Sequence, residues 1–273
     1  MQRRVLLSAL TGTAAAAALP LGALAAALGG RATTQSALLA LLPRPKSGQW
    51  VRLIMGAGVD YQKQIGAATE STEHGELRYL ETQVGTPGGS CNPNTMKRTY
   101  VSGSNFPALF DETPVVANVA NSGTTLTRWS DLSGGQTGTP MDAKLRLLDA
   151  SYLYDVRPLH VISSEPATVA LPSGGTYSGS AEAPRGKLHA LATTHIVAAF
   201  APSHDPKAKL TRIELWTSPI VPFGVVRYRA VAKDLDPFEL RLYSYGTRFK
   251  TDLAMSLETI RSITPNGTYI QTS

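Results

Sequence analysis

Cysteine is almost absent: the chain of 273 residues holds one, Cys91. A single thiol excludes an internal disulfide, a haem-attaching Cys-x-x-Cys-His and every iron–sulfur spacing. No cysteine lies near residues 25–32 to take a lipid, so a membrane-anchored mature chain is not expected. Charge is sparse at 17%, aromatic residues make up 7%, and the five histidines never fall in a His-x-His or His-x3-His spacing. His189 and His195 share the parity of one strand face, but six residues of strand hold them roughly 20 Å apart, too far for one metal ion. No metal and no cofactor is therefore expected. Also missing are a glycine-rich phosphate loop, a dinucleotide fingerprint and a Gly-x-Ser-x-Gly elbow, so the common nucleotide and serine-hydrolase signatures are excluded.

The basic surplus is modest. The formal charge is +6, and Arg3 and Arg4 contribute to it. The other Lys and Arg residues are scattered singly, whereas nucleic-acid binders cluster them on one face. Paired carboxylates are equally unpromising. Asp234 and Asp236 precede Pro237 in a turn sequence, and Asp111-Glu112 precede Thr113-Pro114. Thr72-Glu73-His74-Gly75-Glu76 sets a histidine between carboxylates in what reads as a hairpin loop.

What is present begins at the N-terminus. Arg3-Arg4-Val5-Leu6-Leu7 precedes an Ala-rich, mildly apolar stretch to about Leu28 that is interrupted by Pro20 and Gly22. A membrane span needs roughly 20 strongly apolar residues, so this stretch reads as a removable leader. It resembles a twin-arginine signal, which implies a chain that folds in the cytoplasm, meets the twin-arginine export machinery and ends soluble in the periplasm or outside. Ala23-Leu24-Ala25 and Gly30-Arg31-Ala32 both fit a small-x-small cleavage motif. The expected organisation is a signal peptide over 1–32 with cleavage at about 25–32, a linker over 33–48, and one β-rich domain over 49–273. Within the linker, Leu38, Leu39, Leu41 and Leu42 could form an amphipathic turn that docks on the domain, stopped by Pro43 and Pro45.

From Gly48 the chain alternates short β-favouring runs with Gly, Pro, Asn and Ser clusters. Strands are expected at 50–55, 76–84, 96–102, 159–162, 187–200, 210–216, 223–231 and 238–246, with 168–177 a strand, a turn and the entry to another strand, 145–148 a short helix or a strand, and 251–263 a terminal helix or a last strand. In the 187–200 strand the even positions, Ala190 to Ala198, are the small or apolar ones; near the end, Leu240 and Leu242 oppose Glu239, Arg241, Tyr243 and Tyr245. The spacing predicts a mainly β fold, a curved antiparallel sheet or half-barrel with few short helices.

The densest apolar cluster is Trp216, Ile220, Val221, Phe223, Val225 and Val226 around Pro222. Such a cluster is either plain core or the wall of an apolar cavity. Leu215 to Val226, with Trp-Thr-Ser leading into Val-Pro-Phe-Gly, and then Leu242-Tyr243-Ser244-Tyr245-Gly246, resemble a group of uncharacterised exported bacterial β proteins. Leu171-Pro172-Ser173-Gly174 and Trp50-Val51-Arg52-Leu53 are similar to two further elements of that group. The resemblance implies a curved antiparallel sheet, similar at fold level to the half-barrels of periplasmic lipoprotein carriers. It implies no activity, and residues 103–143 have no counterpart in it.

The expected function is a non-enzymatic binder of an apolar or amphipathic ligand, such as a lipid, at the cell envelope. Trp216, Phe223, Val225 and Tyr243 are the candidate ligand contacts. Two alternatives stand beside it: an interaction or envelope assembly module working through edge strands, and a hydrolase assembled from distant residues such as His74, His195 and Asp111.

Overall fold

The computed structural model describes residues 32–58, 60–72, 75–101, 106, 108–109, 115–122, 125–130, 155–173, 190–205, 209–251 and 270–272. Their strands are β1 (Ala32–Thr33), β2 (Trp50–Gly56), β3 (Asp60–Thr72), β4 (Gly75–Gly85), β5 (Cys91–Val101), β6 (Val115–Ser122), β7 (Thr125–Ser130), β8 (Leu159–Ala170), β9 (Ala190–Phe200), β10 (Leu210–Thr217), β11 (Val225–Ala232), β12 (Phe238–Gly246) and β13 (Ile270–Thr272). One short helix, α1 (Gln35–Leu39), is the helical element among them. The strands form one antiparallel sheet that does not close, in the order β1-β8-β9-β10-β11-β12-β2-β3-β4-β5-β6-β7-β13. Two meanders, β2 to β7 and β8 to β12, are joined where β12 pairs with β2 from Gly246↔Trp50 to Glu239↔Gly56. The fold is thus mainly β and antiparallel, as the strand spacing predicts. Among the described residues no helix is long and apolar enough to cross a membrane.

Five strands, β1, β3, β6, β7 and β13, have no counterpart among the runs expected from sequence. β3 is the instructive one. Asp60–Thr72 is rich in polar residues and lacks an aliphatic run, yet it is thirteen residues long. It is held by ladders to β2 on one side and β4 on the other, so backbone pairing supplies what side-chain propensity does not.

The expected face patterns also change at two places. Tyr245 does not lie with Glu239 and Arg241; it is buried at 1% with Leu240 and Leu242. A β-bulge between Leu242 and Ser244 reverses the alternation there. On β9 the buried set is Ile196, Ala198 and Phe200 at one end but Leu191 and Thr193 at the other. β10 ends at Thr217 opposite Thr194. Beyond that point, among the described residues, β8 and β9 continue as a two-stranded ribbon, which twists more than a sheet and buries its other face.

The apolar face of the sheet carries Leu53, Met55, Ile65, Ile213, Leu215, Tyr228, Leu240 and Tyr245, all buried at 1% or less. Residues 33–48, a linker by sequence, form a strap across it. Thr34 caps α1 by accepting from the Ala37 N–H at 3.1 Å. Leu38, Leu39 and Leu42 then enter the core at 0–2% exposure. The Gln35 side chain is fully buried: its amide donates to the Tyr228 hydroxyl at 3.0 Å, and its carbonyl accepts from the Asp155 N–H at 2.9 Å. A buried amide needs such partners, because an unmade bond costs its full desolvation.

The turn from Ser218 to Gly224 receives the end of the strap. Ser218 donates to the Gly224 carbonyl at 3.0 Å, and Gly224 to Val221 at 2.8 Å. Phe223 and Gly224 both take positive φ, 64° and 73°, and this aims the Phe223 ring into the core with no exposure left. A Cβ on Gly224 would collide with the Pro43 ring. Replacing Gly224 with Ala should therefore cost about 1–3 kcal/mol through strain and clash. Leu38→Ala should cost about 2–5 kcal/mol. Both are read as a lower urea midpoint at unchanged slope; a Leu38→Ala loss below about 1 kcal/mol would show that the strap is not part of the core.

Candidate functional site

Antiparallel register sets Glu165, His195, Trp216, Arg227 and Arg241 in one row across β8 to β12. Directly opposed residues share a face and touch. The His195 ring lies on Trp216, with centroids 4.1 Å apart and planes within 6°. The Arg227 guanidinium sits 4.8 Å from the Trp216 ring centre. β9 and β11 flank β10, so both flat sides of the indole are occupied and its edge is what faces outward. Carboxylates thread between the cations. Glu239 accepts from Arg227 Nε at 2.5 Å and lies 3.6 Å from Arg241 Nε, while Arg241 also pairs with Asp60. Glu214 lies 2.8 Å from Arg212, 3.6 Å from Arg229 and 3.7 Å from His195 Nε2, and Glu165 is 4.0 Å from His195 Nδ1.

The β8–β9 ribbon beyond Thr194 forms an arm over this face. Between arm and sheet lies a cleft of about 560 Å³, within the size range of small-molecule sites. The arm contributes Val169, Leu171 and Pro172; the sheet contributes the Trp216 edge with Arg227 and Arg241. Thr168, Ala170, Val226, Leu242 and Glu239 complete the lining. Bulges flank the cleft, between Trp216 and Thr217 on β10 and between Leu242 and Ser244 on β12. Bulges re-aim side chains, and this one cleft has both an apolar wall and a guanidinium rim. Such a surface suits a ligand with an apolar part and a polar head.

Of the four contacts expected from sequence, Trp216 lines the cleft and is half-buried. Phe223 and Val225 are core residues at 0% and 1% exposure. Tyr243 is half-buried, and its hydroxyl stands beside Gly88 in the β4–β5 turn. The structure therefore does not gather the four into one wall. Arg227, Glu239 and Arg241 have no signal in the sequence, since a single charge in an alternating strand looks like solvent-facing surface. Arg3, Arg4, His74, His189 and Asp111 lie outside the described residues. Cys91 is buried and accepts from Gln62 Nε2 at 3.6 Å; the same glutamine binds the Gly88 N–H and the Gly89 carbonyl. Among the described residues no three His, Cys, Asp or Glu side chains could hold a metal ion.

The same face continues over β2 to β5, where it is covered by the chain leaving β12. Phe249 lies flat over Gly66, leaving no room for a Cβ. Beneath it Arg98, at 3% exposure, meets Glu81 at 2.9 Å and Glu70 at 3.3 Å, donates to Thr251 at 3.3 Å and lies 4.1 Å from the Tyr79 ring centre. Tyr100 donates to Glu70 at 2.7 Å. Burial works against the Arg98 charge, but Tyr100, Tyr79 and Glu81 outweigh it and hold its pKa above the ordinary value. Burial likewise raises the Tyr100 and Tyr79 pKa values, against the opposing pull of Arg98.

No protein-family model matches the chain, and no curated protein matches it. Two solved structures align with most of its length. A candidate lipoprotein from Parabacteroides distasonis is 9% identical, with 74% of this chain and 96% of that one covered at a TM-score of 0.31. A candidate exported protein with a YmcC-like fold, from Bacteroides fragilis, is 11% identical, with 75% and 98% covered at a TM-score of 0.33. Neither likeness transfers a residue or a role to this chain.

Four buried tyrosines set an alkaline limit. Tyr79, Tyr100, Tyr228 and Tyr245 all have pKa values raised from 10.0, with burial the largest cause in each. Above pH 10 the unfolded chain sheds these protons while the native chain keeps them, so the unfolded state binds fewer and stability falls with pH. The contribution is complete below pH 10 and is lost above it. Urea midpoints should hold steady through neutral pH and fall beyond about pH 10, and Tyr228→Phe should flatten that fall. An equal alkaline slope in wild type and Tyr228→Phe would contradict this assignment.

Proposed function

We propose that this chain is an exported, non-enzymatic protein of the cell envelope that holds an amphipathic ligand under the β8–β9 arm. The observation that carries the reading is the two-sided lining of the cleft: Val169, Leu171 and Pro172 on one side, Arg227 and Arg241 on the other. An apolar tail packs on the arm, and a polar head accepts from the guanidinium groups, with Glu239 holding both in place. Trp216 serves as the cleft floor. Its flat faces are taken by His195 and Arg227, so it supports the arginine rather than stacking on the ligand. The Arg3-Arg4 leader supports export, with the twin-arginine machinery as partner and the periplasm or the exterior as destination.

The amphipathic fluorophore anilinonaphthalene sulfonate tests the cleft directly. Leu171→Glu places a carboxylate on the apolar wall and should weaken probe binding at least tenfold, about 1.4 kcal/mol, measured at a temperature where the variant is folded. Arg241→Gln should weaken it by a smaller factor. Equal probe affinity in wild type and Leu171→Glu would overturn the reading. Native mass spectrometry of protein taken gently from its own organism supplies the natural ligand: an added mass that leaves on organic extraction is expected.

A further inference from the structure

The sequence offers two cleavage motifs, ending at Ala25 and at Ala32, and the fold discriminates between them. Ala32 and Thr33 are β1, paired with His160 and Leu159 at the start of β8. The next residue, Thr34, is the N-cap of α1, and Gln35 is fully buried between Tyr228 and Asp155. The bond between Ala32 and Thr33 therefore lies inside a ladder, two residues from a side chain locked in the core.

We infer that the leader is cut upstream of Ala32, at the Ala23-Leu24-Ala25 motif, and that Ala32 and Thr33 remain in the mature chain. The inference rests on the twin-arginine reading, by which the chain is already folded when it meets the signal peptidase. A peptidase grips several residues on both sides of the bond it hydrolyses, in extended form. Cutting after Ala32 would require β1 to leave β8 and the N-cap of α1 to open, with Gln35, Leu38 and Leu39 loosened behind it. Proteolysis of a folded chain follows the small population of such open states. Ala25 stands six residues, 26–31, before the paired Ala32, a length of chain that can span up to roughly 20 Å. Hydrolysis there consumes one water and leaves a carboxylate on the leader and a free amino group on the mature chain.

The test is the intact mass and N-terminal sequence of the full-length gene product recovered from the exported fraction of its own organism. An N-terminus upstream of Ala32 is expected, with processing unchanged in Ala32→Lys and lost in Ala25→Lys. Ala32 is exposed, so the lysine there leaves the fold intact. An N-terminus at Thr33, or processing blocked by Ala32→Lys, overturns the inference while leaving the export reading standing. An unprocessed chain confined to the cytoplasm overturns both. The expected sign of strap involvement is that Leu39→Asp, which detaches α1, raises cleavage after Ala32 at least tenfold.

Discussion

The buried hydrogen bond from Gln35 to Tyr228, with Leu38, Leu39 and Leu42 beside it, is the contact on which the rest of the molecule depends. An open sheet has no partner sheet to cover its apolar face, and a face this wide left in water would drive association. Here residues 33–48 supply part of the cover, with Phe106, Ala108 and Leu109 in the same buried cluster. Once the strap is down, Pro43 fixes where the Ser218–Gly224 turn must lie, and that turn sets the positive φ of Phe223 and the start of β11. Burial of the leucines stabilises the strap, while the glutamine fixes its position.

The opposite face is governed by charge rather than by apolar area. Arg98 brings Glu70, Glu81, Tyr79 and Tyr100 together beneath the segment that follows β12. Toward β8 the same face carries the His195–Trp216–Arg227 stack. A buried ion pair adds little net stability over a well-packed apolar pair, but breaking one partner of it is costly. Removing Arg98 would leave Glu81 buried without its cation. At the open end of this face the arginines are half-exposed, and that is where the arm leaves a cleft. The site and the buried network are two ends of one polar face, differing in whether the segment above packs down on it or leaves a cleft.

Much of the fold was legible in the chain's punctuation. Glycine and proline clusters bound most of β2, β4, β10, β11 and β12, because turns demand special backbone angles wherever they occur. β3 was not legible: its polar residues are buried by neighbouring strands and by Phe249, and pairing with β2 and β4 is a non-local fact. The site was less legible still. Trp216 stands out by residue type alone, but Phe223 and Val225 share its apolar character and point into the core. Arg227, Glu239 and Arg241 matter through partners on other strands.

By itself the sequence determined the fold class, the turn positions, the lack of disulfides and the apolar stock from which the core is drawn. These depend on residue type and on spacing along the chain, which one sequence records in full. The tertiary structure alone decided where Leu38, Leu39 and Leu42 enter the core, that a bulge on β12 and the twist of the β8–β9 ribbon change the expected faces, and that a cleft opens under the arm. Each of those depends on which strands lie side by side and in what register. A shift of one residue in that register would turn every side chain to the other face.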